Sequence, residues 1–568
     1  DEFIRVSTFK SLSNGDITYK NLPELTLKTT AAYDYINSKT FEFWSPESVN
    51  GQSLGGLGYK YQYTKGTITS STTLRYANTF GLHNIDVLGG FEVMNAKAET
   101  LTASSKQYSS GKYPELSVGQ PYRTSSAVYR SALISYIGTA NYNYDQRYYV
   151  SASVRTDGSS FLGKNSRWAT FPSASVAWRI SKEPFMPESD YIRDLKLRAS
   201  VGVTGHLPNQ YFAHKKLYSL SGGYGDQSAV YMTQFGNDDL GWEKTTSYNI
   251  GLDWNMFDRL SFSIEYYNRD TKDLLFSQPV SYIAGFENNL TNIGKLNNKG
   301  IEIDINSRNI SNKHFTWNTN FNFAWQRGKI VELANGEDVP WGDGNMFRLS
   351  EGHHHNAFYL PVWTGVDPDT GYGTFWIDPA DKSLGKTTNY SKAKATFVGK
   401  PSPDILGGIN TFTYRDFDFS FLITYQFGGD LFDYPAYFIE NDGFRMTSFS
   451  ASKDLVNSYW KQPGDIVKNP KPVFRGTTDR SDRFSTRHIK STDNIRLREI
   501  TFGYNIPLKH LGNVNKVVSS ARFFASANNP CMIWAKEDNI DPDVSLNGYR
   551  QVDTPVGKTF LFGFNIQF

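Results

Sequence analysis

Hydrophobic side chains recur at every second residue along this chain, from near its first position to its last. Leu260, Phe262, Ile264 and Tyr266 alternate with Ser261, Ser263 and Glu265; Ile301, Ile303 and Ile305 alternate with Glu302, Asp304 and Asn306. Successive side chains of an extended strand point to opposite faces, so this spacing specifies sheet with one greasy face and one wet face. Comparable segments lie at 27–36, 59–80, 85–101, 131–144, 148–155, 169–180, 195–203, 246–254, 315–325, 406–414, 416–425, 495–506, 517–527 and 559–568. A weaker pair at 358–366 and 373–377 brings the expected total to roughly 18 strands.

The connections alternate in length. Short turns at 80–84, 144–146, 256–259, 310–313 and 414–416 are interleaved with long stretches at 105–130, 205–241, 333–355, 379–402, 429–490 and 529–557. Turns on one side and long loops on the other are the pattern of a transmembrane antiparallel β-barrel. No run of about 18 apolar residues exists, so no spanning helix is expected, whereas a barrel strand needs only about 9–11 alternating residues. Aromatics at 15% of the chain and 47 glycines, with a mean hydropathy of −0.49, fit strands joined by wet loops. A soluble propeller or solenoid would repeat at a fixed period, and none is present. The last strand carries Phe560, Phe562, Phe564 and Ile566 on one face. With Phe568 at the periplasmic end, counting back puts the short turns in the periplasm and the long loops outside.

Other function classes find little support. Lys plus Arg number 59 against 56 Asp plus Glu, without a basic cluster, which speaks against nucleic-acid binding. Cys531 is the only cysteine, so neither a disulfide framework nor a thiolate metal site is available. His353, His354 and His355 are consecutive, and neighbours in an extended chain point in opposite directions, so no metal site is expected there. The carboxylates of Asp367-Pro368-Asp369 and Asp541-Pro542-Asp543 read as turn formers in preference to calcium ligands. No catalytic constellation and no cofactor motif stands out, and the chain is read as a non-enzyme.

Several short segments stand out, in order along nearly the whole chain. They include Asn141-Tyr142-Asn143-Tyr144, Arg147-Tyr148, Asp157-Gly158-Ser159-Ser160, Phe171-Pro172-Ser173-Ala174-Ser175 and Trp178-Arg179-Ile180. Further on come Gly202-Val203-Thr204-Gly205, Asn292-Ile293-Gly294, Asn298-Lys299-Gly300-Ile301-Glu302, Gly365-Val366-Asp367-Pro368 and Ile495 through Tyr504. Together these segments resemble the SusC/RagA family of TonB-dependent outer-membrane importers of Bacteroidota. The residues themselves read as scaffold: glycines for tight reversals, and indoles such as Trp168 and Trp254 for the headgroup layer. The resemblance implies a multi-pass protein of the cell outer membrane, in contact with its lipid. It implies a 22-strand barrel of which residues 1–568 are the C-terminal part, with signal peptide, N-terminal extension and plug lying outside this sequence. On that expectation the strand at 27–36 leaves an edge for missing strands to pair with. Also implied are a SusD-like lipoprotein partner over the outer mouth, a TonB-ExbB-ExbD complex acting through the missing N-terminal region, and large nutrients as cargo. Oligosaccharides are favoured over oligopeptides, with a passive porin-type barrel as the alternative. The outward loops hold Tyr224, Trp341, Phe347, Tyr437, Phe438 and Phe444 amid Gly, Ser and Asn, and these are the candidate substrate-binding residues.

Overall fold

The computed structural model describes residues 2–224, 227–280, 283, 288–476, 479–507, 517–543, 547–552 and 554–567. Its long strands, 17 in number, belong to one antiparallel sheet. The chain forms two compact units. One comprises residues 1–179, 198–248 and 271–293; the other comprises 180–197, 249–270 and 294–568.

The first unit is a meander of β1 (Glu2–Leu22), β2 (Leu25–Trp44), β3 (Leu57–Phe80), β4 (His83–Lys106), β5 (Gln120–Tyr144), β6 (Tyr148–Ser159) and β7 (Trp168–Arg179), each paired with the next. Turns at 23–24, 81–82 and 145–147 lie at one end. Two differences from the sequence reading emerge. β1 was not foreseen, because its apolar residues change phase between Val6 and Phe9 and Asn14-Gly15-Asp16 reads as a turn. Pairing overrides that local signal: Asn14, Gly15 and Asp16 face Ala32, Ala31 and Thr30 within an otherwise continuous register. The 27–36 segment is therefore no edge, being part of β2, which is paired on both sides. Second, β3 and β4 run for 24 residues each and β5 for 25, more than twice what a bilayer requires. The long loop expected at 105–130 is thereby reduced to residues 107–119. The 205–241 stretch lies at the end opposite the short turns, where Gly163 N donates to Leu240 O (2.9 Å) and Asn165 N to Asp238 O (3.0 Å).

The second unit holds a meander of seven strands, Lys295–Ser311, Phe315–Glu332, Asp404–Tyr414, Phe417–Phe427, Asn494–Asn505, Ser520–Ala535 and Thr559–Gln567. Register sorts its two faces. Ile301, Ile303 and Ile305 stand opposite Trp325, Phe323 and Phe321, giving one apolar face. The intervening residues form a polar ladder: Asn320 Nδ2 donates to Asp304 Oδ2 (3.0 Å) and Asn306 Oδ1 (2.7 Å), and Asn322 Nδ2 to Asn320 Oδ1 (2.6 Å). Likewise Ser263 Oγ donates to Asp253 Oδ1 (2.9 Å), on the face away from Phe262 and Ile264. Gln567 pairs with Ser520 at the same end as the 312–314 and 415–416 turns, and the long loops emerge at the other end. Phe568 itself lies outside the described residues.

Those long loops are folded. Residues 358–366 and 373–377, counted above among the barrel strands, instead build small separate sheets with Val339–Trp341, Phe347–Leu349, Ala395–Val398 and Lys386–Thr387. Their alternation is real, but it serves a loop core of Met346, Phe347, Phe358, Leu360, Phe432 and Tyr549.

Candidate functional site

On the wet face of the second unit, where strand ends meet folded loops, lies a cavity of about 1040 Å³. The same two-residue phase that places Ser263 and Glu265 on the polar side continues into Tyr267 and Arg269, both of which line it. Asn298 and Gln326 reach it in the phase of Asp304 and Asn322, from the loop-side ends of Lys295–Ser311 and Phe315–Glu332. Two glycines make the space. A Cβ at Gly300 would come within 2.5 Å of the Tyr267 hydroxyl and of the Trp325 carbonyl; one at Gly328 would strike Asn298 at 2.4 Å and press on the His354 ring.

The roof is built by two loop segments. Gly352, at φ +83°, turns the chain so that Ile330 N donates to His353 O and Gly352 N to Ile330 O, both at 2.8 Å. His353 then stacks on Phe397, ring centroids 3.5 Å apart. His354 Nδ1 accepts from Asn356 N (3.1 Å), which places the proton of the neutral ring on Nε2, facing Ser402 Oγ at 3.2 Å. Burial, with a smaller contribution from His355, pushes the His354 imidazole down to about 4; burial lowers His355 as well. The three histidines thus serve a stack, a hydrogen-bonded latch and a neighbouring ring. No metal-holding group of three or more His, Cys, Asp or Glu occurs among the described residues.

Charge around the cavity is mostly spoken for. Asp404 accepts from Arg327 Nη1 (2.7 Å) and Nη2 (3.1 Å) and from Lys400 Nζ (2.9 Å). Arg498 donates to both oxygens of Asp543 (2.5 and 3.0 Å) and to Thr424 Oγ1 (2.8 Å). Asp541 pairs with Arg496. The Asp541-Pro542-Asp543 carboxylates therefore clamp the last loop to the Asn494–Asn505 strand. Asp367 Oδ1 accepts from Asp369 N (2.9 Å) and Thr370 N (3.3 Å), the turn geometry expected of it. Arg269 is exposed, lies 4.6 Å over the Tyr267 ring, and has no carboxylate partner among the described residues.

Of the aromatic residues singled out from the sequence, the five whose side chains are described, Trp341, Phe347, Tyr437, Phe438 and Phe444, do not line this cavity. Phe347 is 1% exposed, held between Trp341 (4.4 Å) and Phe358 (5.2 Å). Tyr437 packs on Phe484 at 4.5 Å and Phe438 on Phe449 at 4.8 Å, with Arg445 over both. Phe444 lies under Arg480 at 4.5 Å. Tyr224 ends the strand Leu217–Tyr224, and its side chain is outside the described residues. Phe347 is thus a core residue of the loop body. Aromatic content in a loop marks a packed loop as readily as a binding surface. Tyr267, Arg269, Asn298 and Gln326, which line the cavity, are not among the residues singled out from the sequence, although each sits on the polar phase near the loop end of a strand.

The family described as TonB dependent receptor-like, beta-barrel matches residues 5–425. TonB-dependent receptor SusC of Bacteroides thetaiotaomicron is 30% identical over 594 residues, covering 98% of this chain and 56% of that protein. TonB-dependent receptor P3 of Formosa agariphila is 30% identical over 586 residues, covering 97% and 57%. The structure of the RagAB peptide transporter superposes with a TM-score of 0.89 at 25% identity, over 100% of this chain and 62% of that one. The chain thus spans somewhat more than half the length of the curated relatives it matches. Its alternating wall, folded loops and shared sequence place it in the TonB-dependent receptor β-barrel family of the outer membrane, in the SusC/RagA group.

Proposed function

We propose that this chain forms the barrel wall of a SusC-type importer that takes up oligosaccharides and works with a SusD-like surface lipoprotein and an inner-membrane TonB-ExbB-ExbD complex. The observation that carries this reading is the large cavity at the loop end of the wet face, lined by Tyr267, Phe397 and the side-chain amides of Asn298, Gln326 and Gln426. Aromatic faces pack on the C–H faces of sugar rings, and amides satisfy hydroxyls in both directions. The similarity to SusC along nearly the whole chain supports the same class of partner.

Oligopeptide import is the second reading, favoured by the 0.89 TM-score against the RagAB peptide transporter. The test is to purify the full-length protein from its own membrane and measure binding of an oligosaccharide panel and a mixed peptide pool. Sugar binding with co-purification of a lipoprotein is expected. Retention of peptides with no sugar bound would reverse the choice of cargo. Uptake that persists in cells lacking TonB would instead favour a passive porin-type barrel.

A further inference from the structure

We infer that the cavity recognises an acidic ligand, a chain bearing carboxylate or sulfate groups, and that Arg269 is the residue that reads its charge. This rests on the importer reading above and deepens it.

Four cationic side chains line the cavity: Arg269, Arg327, Lys400 and Arg498. Three are neutralised from behind. Arg327 and Lys400 share the buried Asp404, and Arg498 is held by both oxygens of Asp543. Asp430, which accepts from Lys400 N (2.8 Å), sets a second carboxylate beside that pair, so the charge left over is that of Arg269, which has no ion-pair partner among the described residues. Its guanidinium lies over the Tyr267 ring, a contact that braces it without using its donors. Tyr267 is 8% exposed and has its hydroxyl tucked against Gly300, so the ring beneath the guanidinium is itself fixed. A planar fork of donors, braced from below and facing a cavity walled by protein, matches carboxylate and sulfate geometry. Asn298, Gln326 and Gln426 line the same cavity, and their amides can bind the remaining hydroxyls or peptide groups. The cavity's low-dielectric walls strengthen the attraction relative to open water.

The experiment uses the full-length protein in detergent, with isothermal titration of four probes: a uronic-acid oligosaccharide, its neutral counterpart of equal length, an acidic peptide, and the same peptide with Gln for Glu. The acidic sugar is expected to bind about tenfold tighter than the neutral one, and Arg269→Gln to remove most of that difference. Arg269→Lys is expected to retain part of it, because charge remains while the fork is lost. Raising salt from about 0.05 to 0.5 M should erode the preference. Circular dichroism and heat-modified gel migration confirm that each variant is folded. Equal binding of acidic and neutral sugars, or an acidic-ligand affinity indifferent to Arg269→Gln, overturns the inference while leaving oligosaccharide import standing. Arg269-dependent binding of the acidic peptide with no sugar bound supports the charge assignment and removes the oligosaccharide reading.

Discussion

Replacing Asp442 by Asn should unfold part of the outer loop body, and the loss can be worked out from the ion pair it breaks. Asp442 and Arg487 are 6% and 5% exposed. Arg487 donates to both Asp442 oxygens, to Asn469 Oδ1 (2.9 Å) and to Ser481 O (3.3 Å), and it lies over the Trp363 ring. Ser481 Oγ donates to Asp442 Oδ2 (2.7 Å). Asparagine offers one acceptor where the carboxylate offers two, turns an NH₂ toward groups that already donate, and leaves the buried guanidinium without the carboxylate bonded to it, with only the more distant Glu440 and Asp479 remaining. Breaking such a pair costs about 3–5 kcal/mol. Arg487→Met strands the carboxylate at a similar cost, whereas the double variant removes both charges and should cost much less than the two singles together. The assay is hydrogen exchange of residues 442–487 in the purified protein, reading local opening free energies against exchange in the meander strands. A single variant losing under about 1 kcal/mol, or a double variant costing the full sum of the singles, would refute the argument.

Three further outcomes are expected. Phe347→Ala should destabilise the same loop body by about 3–5 kcal/mol, seen as faster proteolysis between 333 and 403; lost ligand binding with unchanged proteolysis would instead make Phe347 a contact residue. Acidification from about pH 7 to 4 should lower exchange protection at residues 350–357, because His354 and His355, with folded values below their unfolded ones, stabilise the loop only while neutral. His354→Gln should flatten that local response; Asp430 and Asp479, raised chiefly by burial, act with the opposite sign, so a global melt is the wrong readout. In a Cys531→Ser background, a cysteine at Ile466, which is 96% exposed, should react with a membrane-impermeant maleimide on whole cells, while one at Arg415 should not; the reverse pattern would invert the orientation.

The sequence by itself determined the architecture of the wall, because a period of two has one structural meaning and the Ile301, Ile303 and Ile305 face cannot be wetted without cost. It also determined which connections are tight turns at one end of the wall and which are long loops at the other. The sequence did not determine β1, whose broken phase reads as a turn until β2 lends it twenty paired positions. Nor did it separate the loop sheets around Phe358 and Phe375 from wall strands, since local alternation is identical whether a strand faces lipid or a small loop core. The candidate site shows the same division. Tyr267 and Arg269 are ordinary polar-phase residues in the sequence; they become a candidate site because Gly300 leaves room for the tyrosine hydroxyl and because Asp404 and Asp543, 135 and 274 positions beyond Arg269, occupy the other cations. Which charge is left over is a property of pairing at long range, and only tertiary structure decides it.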